Sequence, residues 1–238
     1  MLKRKQGFYE KYIKRLLDII CSFLAIVVFC WLYIIIAIDI RIKMGSPVLF
    51  KQPRSGMIGK NGKERIFDMY KFRTMTDERD SNGELLSDEA RLPKFGKMLR
   101  ATSFDELPEA FNILKGDMSI IGPRPQLVRD MVFMDDKTRM RHTAKPGLSG
   151  LAQVNGRNAV TWEQKFDWDL KYIEKVSFIN DLKILIKTVW KVFGKGESSE
   201  ELDVTDDYGD ALLKAGKVSK EKYDALQVEA KKILEVRQ

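Results

Sequence analysis

Two adjacent carboxylates, Asp105 and Glu106, stand close to arginines that could bind phosphate. Arg100 precedes the pair, and Arg124 follows it in the segment GDMSIIGPRP, between two prolines. Proline restricts its own φ and the conformation of the residue before it, so we expect Arg124 on a stiff loop. An arginine held in this way suits bidentate recognition of phosphate. An acidic pair at a helix start can also simply complement the helix dipole, so the pair alone does not define a site.

The chain offers few ligands for a soft metal ion. Its 238 residues include one histidine, His142, and two cysteines, Cys21 and Cys30. A zinc site or a Ser-His-Asp triad would depend on His142, which stands in a basic stretch. We therefore expect any bound metal to be a hard cation held by carboxylates and substrate phosphates, and Mg²⁺ is the natural candidate.

The overall charge points to partners that carry phosphate. The formal net charge is +8 and the sequence pI is about 9.3. Such a balance favours nucleic acid, anionic lipid or nucleotide, and charge alone does not choose among them. The length suits one compact domain with one or two attached elements.

Residues 19–38 form a run of twenty residues without a formal charge, which matches the hydrocarbon thickness of a bilayer. Basic residues flank both ends and favour the cytoplasmic side, so a re-entrant helix would satisfy both flanks. The run contains no Pro or Gly to break it, which leaves a straight spanning helix, or a buried helix of a soluble domain, as alternatives. Cys21 and Cys30 would lie about 13 Å apart along one helix, too far for a disulfide. We expect both to be packed in a buried apolar environment.

Elements that could position the carboxylates follow this run. Residues 44–75 alternate apolar with polar residues around several glycines and predict strands, whereas residues 76–92 predict a polar surface loop. Thr102 or Ser103 can cap a helix through DELPEAFNILKG, which Gly116 would end. Residues 140–160 are rich in Gly, Asn, Arg and Pro and predict an irregular functional loop.

The C-terminal half predicts helices of two kinds. The segments TWEQKFDWDLKYIEKV and INDLKILIKTVWKVF are amphipathic, and the second could pack in a core or lie at a lipid interface. Residues 195–210 are an acidic linker. Residues 211–238 predict two short helices joined at Gly216, with Ser219 capping the second. They resemble helical hairpins that serve homo-oligomerisation, and a solvated tail is the alternative.

Three segments carry a resemblance to a known family. YKFRTM, SFDELPEAFNILKGDMSIIGPRP and KPGLSGLAQVNGRNAVTWEQKF resemble, in order and spacing, motifs of the bacterial sugar transferase family, the monotopic polyprenyl-phosphate phosphoglycosyl transferases. The resemblance covers about residues 10–193. It implies an α+β fold with an N-terminal basic segment and membrane helix over 1–43 and a catalytic domain over 44–194. Short strands and amphipathic interfacial helices are expected in that domain, followed by the linker and the C-terminal hairpin.

The resemblance also implies roles for individual residues. Asp105 would attack the sugar-bearing phosphorus of a UDP-sugar and expel UMP, and Glu106 would help Asp105 to hold Mg²⁺. A second group would bind phosphate or stabilise developing charge: Lys71, Arg100 and Arg124. A third group would border the nucleotide or the sugar: Pro123, Pro125, Gln153, Asn155, Gly156 and Arg157. A polyprenyl phosphate, such as undecaprenyl phosphate, would then take the sugar phosphate at the cytoplasmic face of the bacterial inner membrane.

One departure from the family pattern concerns the membrane helix. Members of the family carry a Ser-Pro pair that breaks this helix, and the matching positions here are Cys30 and Trp31. The NGRNAVTW segment resembles members of the family that use N-acetylated or diacetamido sugars more than those that use galactose or glucose. Two rival hypotheses remain: a membrane-anchored, non-enzymatic binder of nucleic acid or acidic polymer, and an inactive scaffold of the same family. We expect no nucleic acid partner, because such a binder gives no reason for DELPEAFNIL beside GPRP.

Overall fold

The apolar N-terminal run forms two helices instead of one in a computed structural model that describes residues 4–156, 160–193 and 206–236. A π-helical turn, Tyr9–Ile13, leads into α1 (Lys14–Val28), and α2 follows (Cys30–Lys43). The pair is bent by 61° at Phe29, directly before Cys30. The amide of Phe29 donates to Ala25 and Val27 together, so the helix tightens and ends there without a proline. Among the described helices none is alone long and apolar enough to cross a bilayer, whereas this bent pair passes that test by length and composition.

Both ends of the bent pair contact the same globular domain. Near the beginning of α1, Arg15 donates to the carbonyl of Ile113 at 2.6 Å. At the other end, Ile40 of α2 is fully buried and packs with Phe72 and Leu99. A straight helix over Lys14–Lys43 would separate its ends by about 45 Å. The bend and the contacts of both ends with one domain agree with the predicted re-entrant pair, while re-entry and embedding in a membrane stay predictions.

The expected burial of the cysteines is wrong. Cys21 and Cys30 are free thiols, and both are exposed on the outer face of the bent pair. The reason is that this face is apolar but is not covered by protein. Its exposed large side chains are Ile19, Ile20, Phe23, Leu24, Val27, Val28, Phe29, Trp31, Ile34, Ile35 and Ile38.

The catalytic domain combines two small sheets with short helices. Its strands are β1 (Leu49–Ile58), β2 (Glu64–Phe72), β3 (Ser119–Ile121) and β4 (Gly147–Ser149). Its first helices are α3 (Asp88–Arg91), α4 (Lys94–Ala101), α5 (Glu109–Lys115), α6 (Val128–Met131), α7 (Asp136–Arg139) and α8 (Leu151–Asn155). The longer helices α9 (Trp162–Glu174) and α10 (Phe178–Phe193) follow, and α11 (Tyr208–Lys214) and α12 (Lys220–Val236) form the C-terminal hairpin. The mixed helix and sheet fold agrees with the α+β prediction.

The strands predicted over 44–75 are confirmed as an antiparallel hairpin of β1 and β2. The turn between them uses Gly62, whose φ is +77°. The prediction of an irregular loop over 140–160 is wrong, since this segment holds a 3-10 turn, β4 and α8. β4 pairs in parallel with β3, where Gly147 lies so close to Gly122 that a Cβ atom would stand 2.1 Å from the Gly122 nitrogen. Pairing with a distant strand thus orders a segment whose local composition suggests a loop.

The predicted start of the helix at Thr102 or Ser103 is also wrong. Asp105 and Glu106 lie in a separate 3-10 turn, Phe104–Glu106, and α5 begins only after Pro108. Ser103 adopts a left-handed conformation with φ +56° and makes no capping hydrogen bond with its side chain. Proline has no amide hydrogen and favours the first positions of a helix, which explains the later start. Gly116 ends α5 as predicted.

The C-terminal helices pack on the catalytic domain. The predicted joint at Gly216 and the cap at Ser219 are confirmed: Gly216 has φ +66°, and Ser219 accepts the amide of Lys222 at 3.3 Å. Ala230 of α12 is buried against α6, so the interpretation as a solvated tail is wrong. Homo-oligomerisation through the hairpin stays a prediction. Most of the predicted acidic linker, residues 194–205, lies outside the described residues.

Candidate active site

A cluster of carboxylates surrounds one lysine at the start of α5. Lys71, on β2, approaches Glu106 at 2.7 Å and Glu109 at 3.4 Å. Asp105 lies beside Glu106 on the 3-10 turn and is 8 % exposed. The β1–β2 hairpin thus supplies the cation, while the turn and α5 supply the carboxylates. Sequence reasoning singled out Lys71, Asp105 and Glu106 but missed Glu109, although it stands three residues after Glu106 in the same motif.

The carboxylates are crowded and partly desolvated. Burial raises the pKa of Asp105, with Lys71 lowering it and Glu106 raising it further. Burial, together with the charge of Glu106, raises the pKa of Glu109 to about 7. Burial disfavours the charged form of each carboxylate, whereas Lys71 favours it. The ionisation of the cluster therefore depends on the cations close to it.

The two arginines predicted to bind phosphate lie next to this cluster. Arg124 approaches Glu106 at 3.7 Å, and its side chain is 46 % exposed. Arg100 is exposed, donates to the Thr74 hydroxyl at 3.1 Å, and its charge lowers the pKa of Asp105. Both guanidinium groups thus face solvent next to the carboxylates, where a phosphate could contact them.

The GPRP segment is held through its backbone. The carbonyl of Pro123 accepts the amide of Gly147 at 2.9 Å, and that of Pro125 accepts Arg54 at 3.2 Å. Further along, the carbonyl of Gln126 accepts the amide of Ser55 at 2.9 Å. Pro123 and Pro125 are themselves buried, so they shape the loop from inside. The expected stiffness of this loop therefore has a tertiary origin as well as a local one.

A buried ion pair fixes the backbone of Arg124. Arg141 contacts Asp169 of α9 at 2.6 Å and donates to the carbonyl of Arg124, also at 2.6 Å. Arg141 is fully buried and Asp169 nearly so. Removing one partner of such a pair would leave an uncompensated buried charge, at a cost of about 3–5 kcal/mol. Sequence reasoning missed this pair, because no local pattern links positions 28 residues apart.

The residues predicted to border the sugar lie on α8 and bond locally. Gln153 donates to the carbonyl of Leu148 at 3.1 Å, and its side-chain oxygen is buried without a partner. Asn155 donates to Leu151 and accepts a hydrogen bond from Lys187 at 3.3 Å. Gly156 ends the helix. The structure thus places these three residues on one element without a described hydrogen bond to the carboxylate cluster. Arg157, the fourth, lies outside the described residues.

The only histidine is part of a buried polar chain. His142 lies 3.1 Å from Glu64 and 3.4 Å from the Ser55 hydroxyl. The order Ser-His-Glu is that of a hydrolase triad, but all three side chains are buried, and Ser55 also donates to the backbone of the GPRP segment. Burial lowers the pKa of His142 to about 4. This buried series of Ser55, His142 and Glu64 therefore has a structural role, since no substrate can reach it.

A cavity of about 90 Å³ lies away from the carboxylates, between α1 and β3. Its lining includes Arg15, Asp18 and Lys145. Arg15 binds the carbonyl ends of α5, whereas Glu109 begins that helix. The carboxylate cluster therefore lies outside this cavity, on the exposed side of the domain. Among the described residues, no group of three or more His, Cys, Asp and Glu side chains is arranged to hold a metal ion by itself.

Comparison with known proteins identifies the family of this fold and site. The chain belongs to the bacterial sugar transferase family, whose sequence profile matches residues 9–195. The match includes the 3-10 turn with its carboxylates, the GPRP segment and α9. The predictions of this family and of a transferase enzyme are thereby confirmed.

The names of some relatives also state a reaction. The chain is 51 % identical over 183 residues to the uncharacterized sugar transferase EpsL of Bacillus subtilis, covering 76 % of this chain and 87 % of EpsL. It is 40 % identical over 190 residues to a UDP-glucose:undecaprenyl-phosphate glucose-1-phosphate transferase of Klebsiella pneumoniae, covering 76 % of this chain and 40 % of that protein. An undecaprenyl-phosphate galactose phosphotransferase of Salmonella typhimurium is 33 % identical over 196 residues, covering 75 % of this chain and 40 % of that protein. The chain thus spans most of EpsL and about two fifths of the other two.

Proposed function

We propose that this protein is a phosphoglycosyl transferase that moves a sugar 1-phosphate from a UDP-sugar to undecaprenyl phosphate and releases UMP. The observation that carries the proposal is the desolvated Asp105, which lies near Lys71 and Arg100 and directly beside Glu106, the partner of Lys71 and Arg124. The names of the relatives from Klebsiella and Salmonella support the same general reaction. Their donors are glucose and galactose, so both sugars belong beside N-acetylated ones in any test.

In the proposed first step, an Asp105 carboxylate oxygen attacks the sugar-bearing phosphorus, and the bond from that phosphorus to the UMP oxygen breaks. A carboxylate nucleophile divides one difficult phosphoryl transfer into two easier steps. Burial makes the Asp105 carboxylate more basic and hence more nucleophilic once it is ionised. In the second step, an oxygen of the lipid phosphate attacks the same phosphorus and regenerates the free carboxylate.

The cations would offset the charge that makes this approach unfavourable. A carboxylate repels a diphosphate, and phosphoryl transfer depends on positioning and on the neutralisation of spread negative charge. Arg100 and Arg124 present exposed guanidinium groups near the carboxylates, and Lys71 holds Glu106 in place. These three residues would bind the phosphates and orient the donor for attack.

The residues present fit Mg²⁺. Asp105 and Glu106 are adjacent on the 3-10 turn and supply hard oxygen donors. Magnesium is commonly held by one or two carboxylates together with substrate phosphates, so a site without a third protein ligand suits it. When bound, it would neutralise charge on the phosphates of the donor.

The acceptor explains the bent N-terminal pair. We propose that α1 and α2 enter and leave the cytoplasmic leaflet of the bacterial inner membrane, with the catalytic domain in the cytoplasm. Tyr33 of α2 donates to the carbonyl of Leu107 at 2.6 Å, next to Glu106. The membrane helix thus contacts the turn that carries the nucleophile. A lipid phosphate at the membrane surface would meet the carboxylates there.

The experiment that tests the proposal is UMP release. Purified protein in detergent is incubated with Mg²⁺, undecaprenyl phosphate and UDP-glucose, UDP-galactose or N-acetylated UDP-sugars, one at a time. We expect UMP from one or a few donors with the wild type and none with Asp105→Asn, which keeps the shape but not the charge. Asp167→Asn, the same change at an exposed position of α9, serves as the matched control.

The remaining outcomes separate the alternatives. Silence across the whole panel, with Mg²⁺ present, would favour an inactive scaffold of the family. Full activity in Asp105→Asn would refute the assignment of the nucleophile while leaving the reaction class standing. Trapping of sugar phosphate on wild-type protein, seen as a mass increase without acceptor, would establish the covalent intermediate.

A further inference from the structure

A helical hairpin beyond the family match packs against two helices that follow the predicted substrate loops. The match ends at residue 195, and the C-terminal hairpin comprises α11 and α12. One contacted helix is α6, which begins directly after the GPRP segment. The other is α9, whose Asp169 pairs with the Arg141 that binds the backbone of Arg124. The hairpin thus touches two helices that are connected to the GPRP segment.

The contact with α6 is centred on an ion-pair network. Arg129 approaches Asp210 at 3.0 Å and Asp207 at 3.3 Å. It also donates to the Tyr223 hydroxyl at 3.2 Å, and Tyr223 in turn donates to Asp210. One arginine of α6 therefore joins both helices of the hairpin. Several charges in one network contribute more than a single exposed pair.

Close packing surrounds this network. Asp130 of α6 accepts the amide of Gly209 at 3.2 Å. A Cβ atom at Gly209 would lie 2.6 Å from the ring of Phe133, so only glycine allows the hairpin this approach. On the other side, Ala230 of α12 packs in a buried cluster with Val128 and Met131. The docking surface is thus specific in shape as well as in charge.

The contact with α9 is aromatic. The ring of Tyr208 packs against Phe166 at 5.0 Å and against Trp162 at 5.6 Å between centroids. The indole of Trp162 donates to the carbonyl of Asp206 at 3.1 Å. Arg141 contacts Asp169 of α9 and donates to the carbonyl of Arg124, both at 2.6 Å, so α9 is connected to the GPRP loop. The hairpin therefore spans the two elements that border Arg124.

We propose that the C-terminal hairpin is a positioning clamp, which holds α6 through Arg129 and Asp210 and α9 through Tyr208 at the spacing that the donor requires. This inference rests on the proposed function, because the donor is taken to bind at the GPRP loop, which α6 follows and to which Arg141 connects α9. Positioning residues set the distances between the substrate and the groups that react with it. A misplacement of about 1 Å can change catalytic efficiency by up to about 10²-fold. The clamp supplies a role for a segment that the family domain does not include.

The test uses the full chain with one undocking variant and one control in the same hairpin. Gly209→Val places a side chain against Phe133, whereas Gly216→Asn adds one where no atom lies within 4 Å and keeps a residue that tolerates positive φ. Asp210→Asn is a milder, isosteric second variant. The readouts are KM and kcat for the donor, and hydrogen exchange at two amides that bind the GPRP backbone, those of Ser55 and Gly147.

We expect Gly209→Val to raise the donor KM about tenfold while kcat stays within about twofold, and Asp210→Asn to act in the same direction with a smaller effect. Exchange at Ser55 and Gly147 should rise together with exchange in α12, and the control should match the wild type. Exposure of α12 without a change in KM or in these amides would overturn the proposal. If the wild type released no UMP from any donor, the proposed function would fail, and the exchange at Ser55 and Gly147 would still decide whether the hairpin positions the loop.

Discussion

At the scale of single residues, the charge balance of the site depends on Lys71. Its ammonium group lies within 3.4 Å of two carboxylates, Glu106 and Glu109, and its charge lowers the pKa of Asp105. Without it, three neighbouring carboxylates would face one another in a partly buried site. Like charges in such a place cannot all remain ionised, so at least one would take up a proton.

We predict that Lys71→Met slows UMP release by about 10²-fold, because the donor would meet a cluster with one cation fewer. Lys71→Arg keeps the charge and should retain a larger fraction of the activity, although the guanidinium geometry differs. Both variants are measured for UMP release, and thermal unfolding in detergent checks that each remains folded. A Lys71→Met enzyme with the wild-type rate would show that this lysine is not needed for charge balance.

His142 makes the stability of the fold depend on pH. Its pKa is lowered to about 4 by burial, whereas an unfolded chain binds the proton with a pKa near 6.5. Between these values the unfolded state holds more protons, so stability must fall as pH decreases, at up to about 1.4 kcal/mol per pH unit. Glu64, whose pKa is lowered to about 2 by His142 and Arg139 against the effect of burial, adds a loss below about pH 4.5.

The matching prediction concerns His142→Gln, which is polar but does not titrate. The variant should have a lower Tm than the wild type at pH 7.5, because the glutamine side chain fills the buried space between Glu64 and Ser55 less well than the imidazole does. From pH 7 to 5 its Tm should fall less steeply than that of the wild type. Equal slopes for the two proteins would mean that another group controls the acid response.

At the scale of elements, the helices and strands predicted correctly are those whose residue periodicity lies within a single segment of the sequence. The alternation in β1 and β2 and the helical periodicity of α9 and α10 are each contained in one segment, and all four elements form. The elements that sequence reasoning missed depend on distant partners. β4 exists because Gly147 pairs with Ser119, and the backbone of Arg124 is fixed by Arg141 and Asp169. The 3-10 turn at Asp105 reflects the local effect of Pro108, a signal that was present in the sequence.

The bend at Phe29 is an element whose consequence can be tested. Both ends of the α1–α2 pair contact the catalytic domain, so both should lie on one side of the membrane. We predict that single cysteines at two exposed positions, Lys5→Cys and Lys51→Cys, in a background with Cys21→Ser and Cys30→Ser, react with an impermeant maleimide only after cells are permeabilised. Labelling of Lys5→Cys alone in intact cells would instead establish a straight spanning helix with its N-terminus outside.

At the scale of the whole molecule, the exposed apolar surface is divided between the bent pair and α10. The exposed large side chains of α10 are Phe178, Ile179, Leu182, Leu185, Ile186, Val189 and Trp190, with Trp190 75 % exposed. Asp181 of the same helix accepts Tyr9 at 2.8 Å and Lys14 at 2.5 Å, which ties α10 to the start of α1. The two surfaces are therefore fixed relative to each other. An apolar helix face flanked by lysines suits the interface of an anionic bilayer.

This arrangement predicts that α10 serves the lipid half of the reaction only. Burial of one large apolar side chain contributes about 1.5–3 kcal/mol, so Ile179→Gln with Trp190→Gln should weaken contact with the bilayer while the bent pair still anchors the protein. In proteoliposomes we expect the rapid release of UMP in the absence of acceptor to stay unchanged, because the UDP-sugar arrives from water. Turnover with undecaprenyl phosphate should instead fall about tenfold, since the carboxylates would no longer be held at the depth of the lipid phosphate. Leu85→Gln, at an exposed apolar position away from both α10 and the bent pair, is the matched control. An equal loss in both half-reactions would mean that α10 supports the fold of the active site and not its position at the membrane.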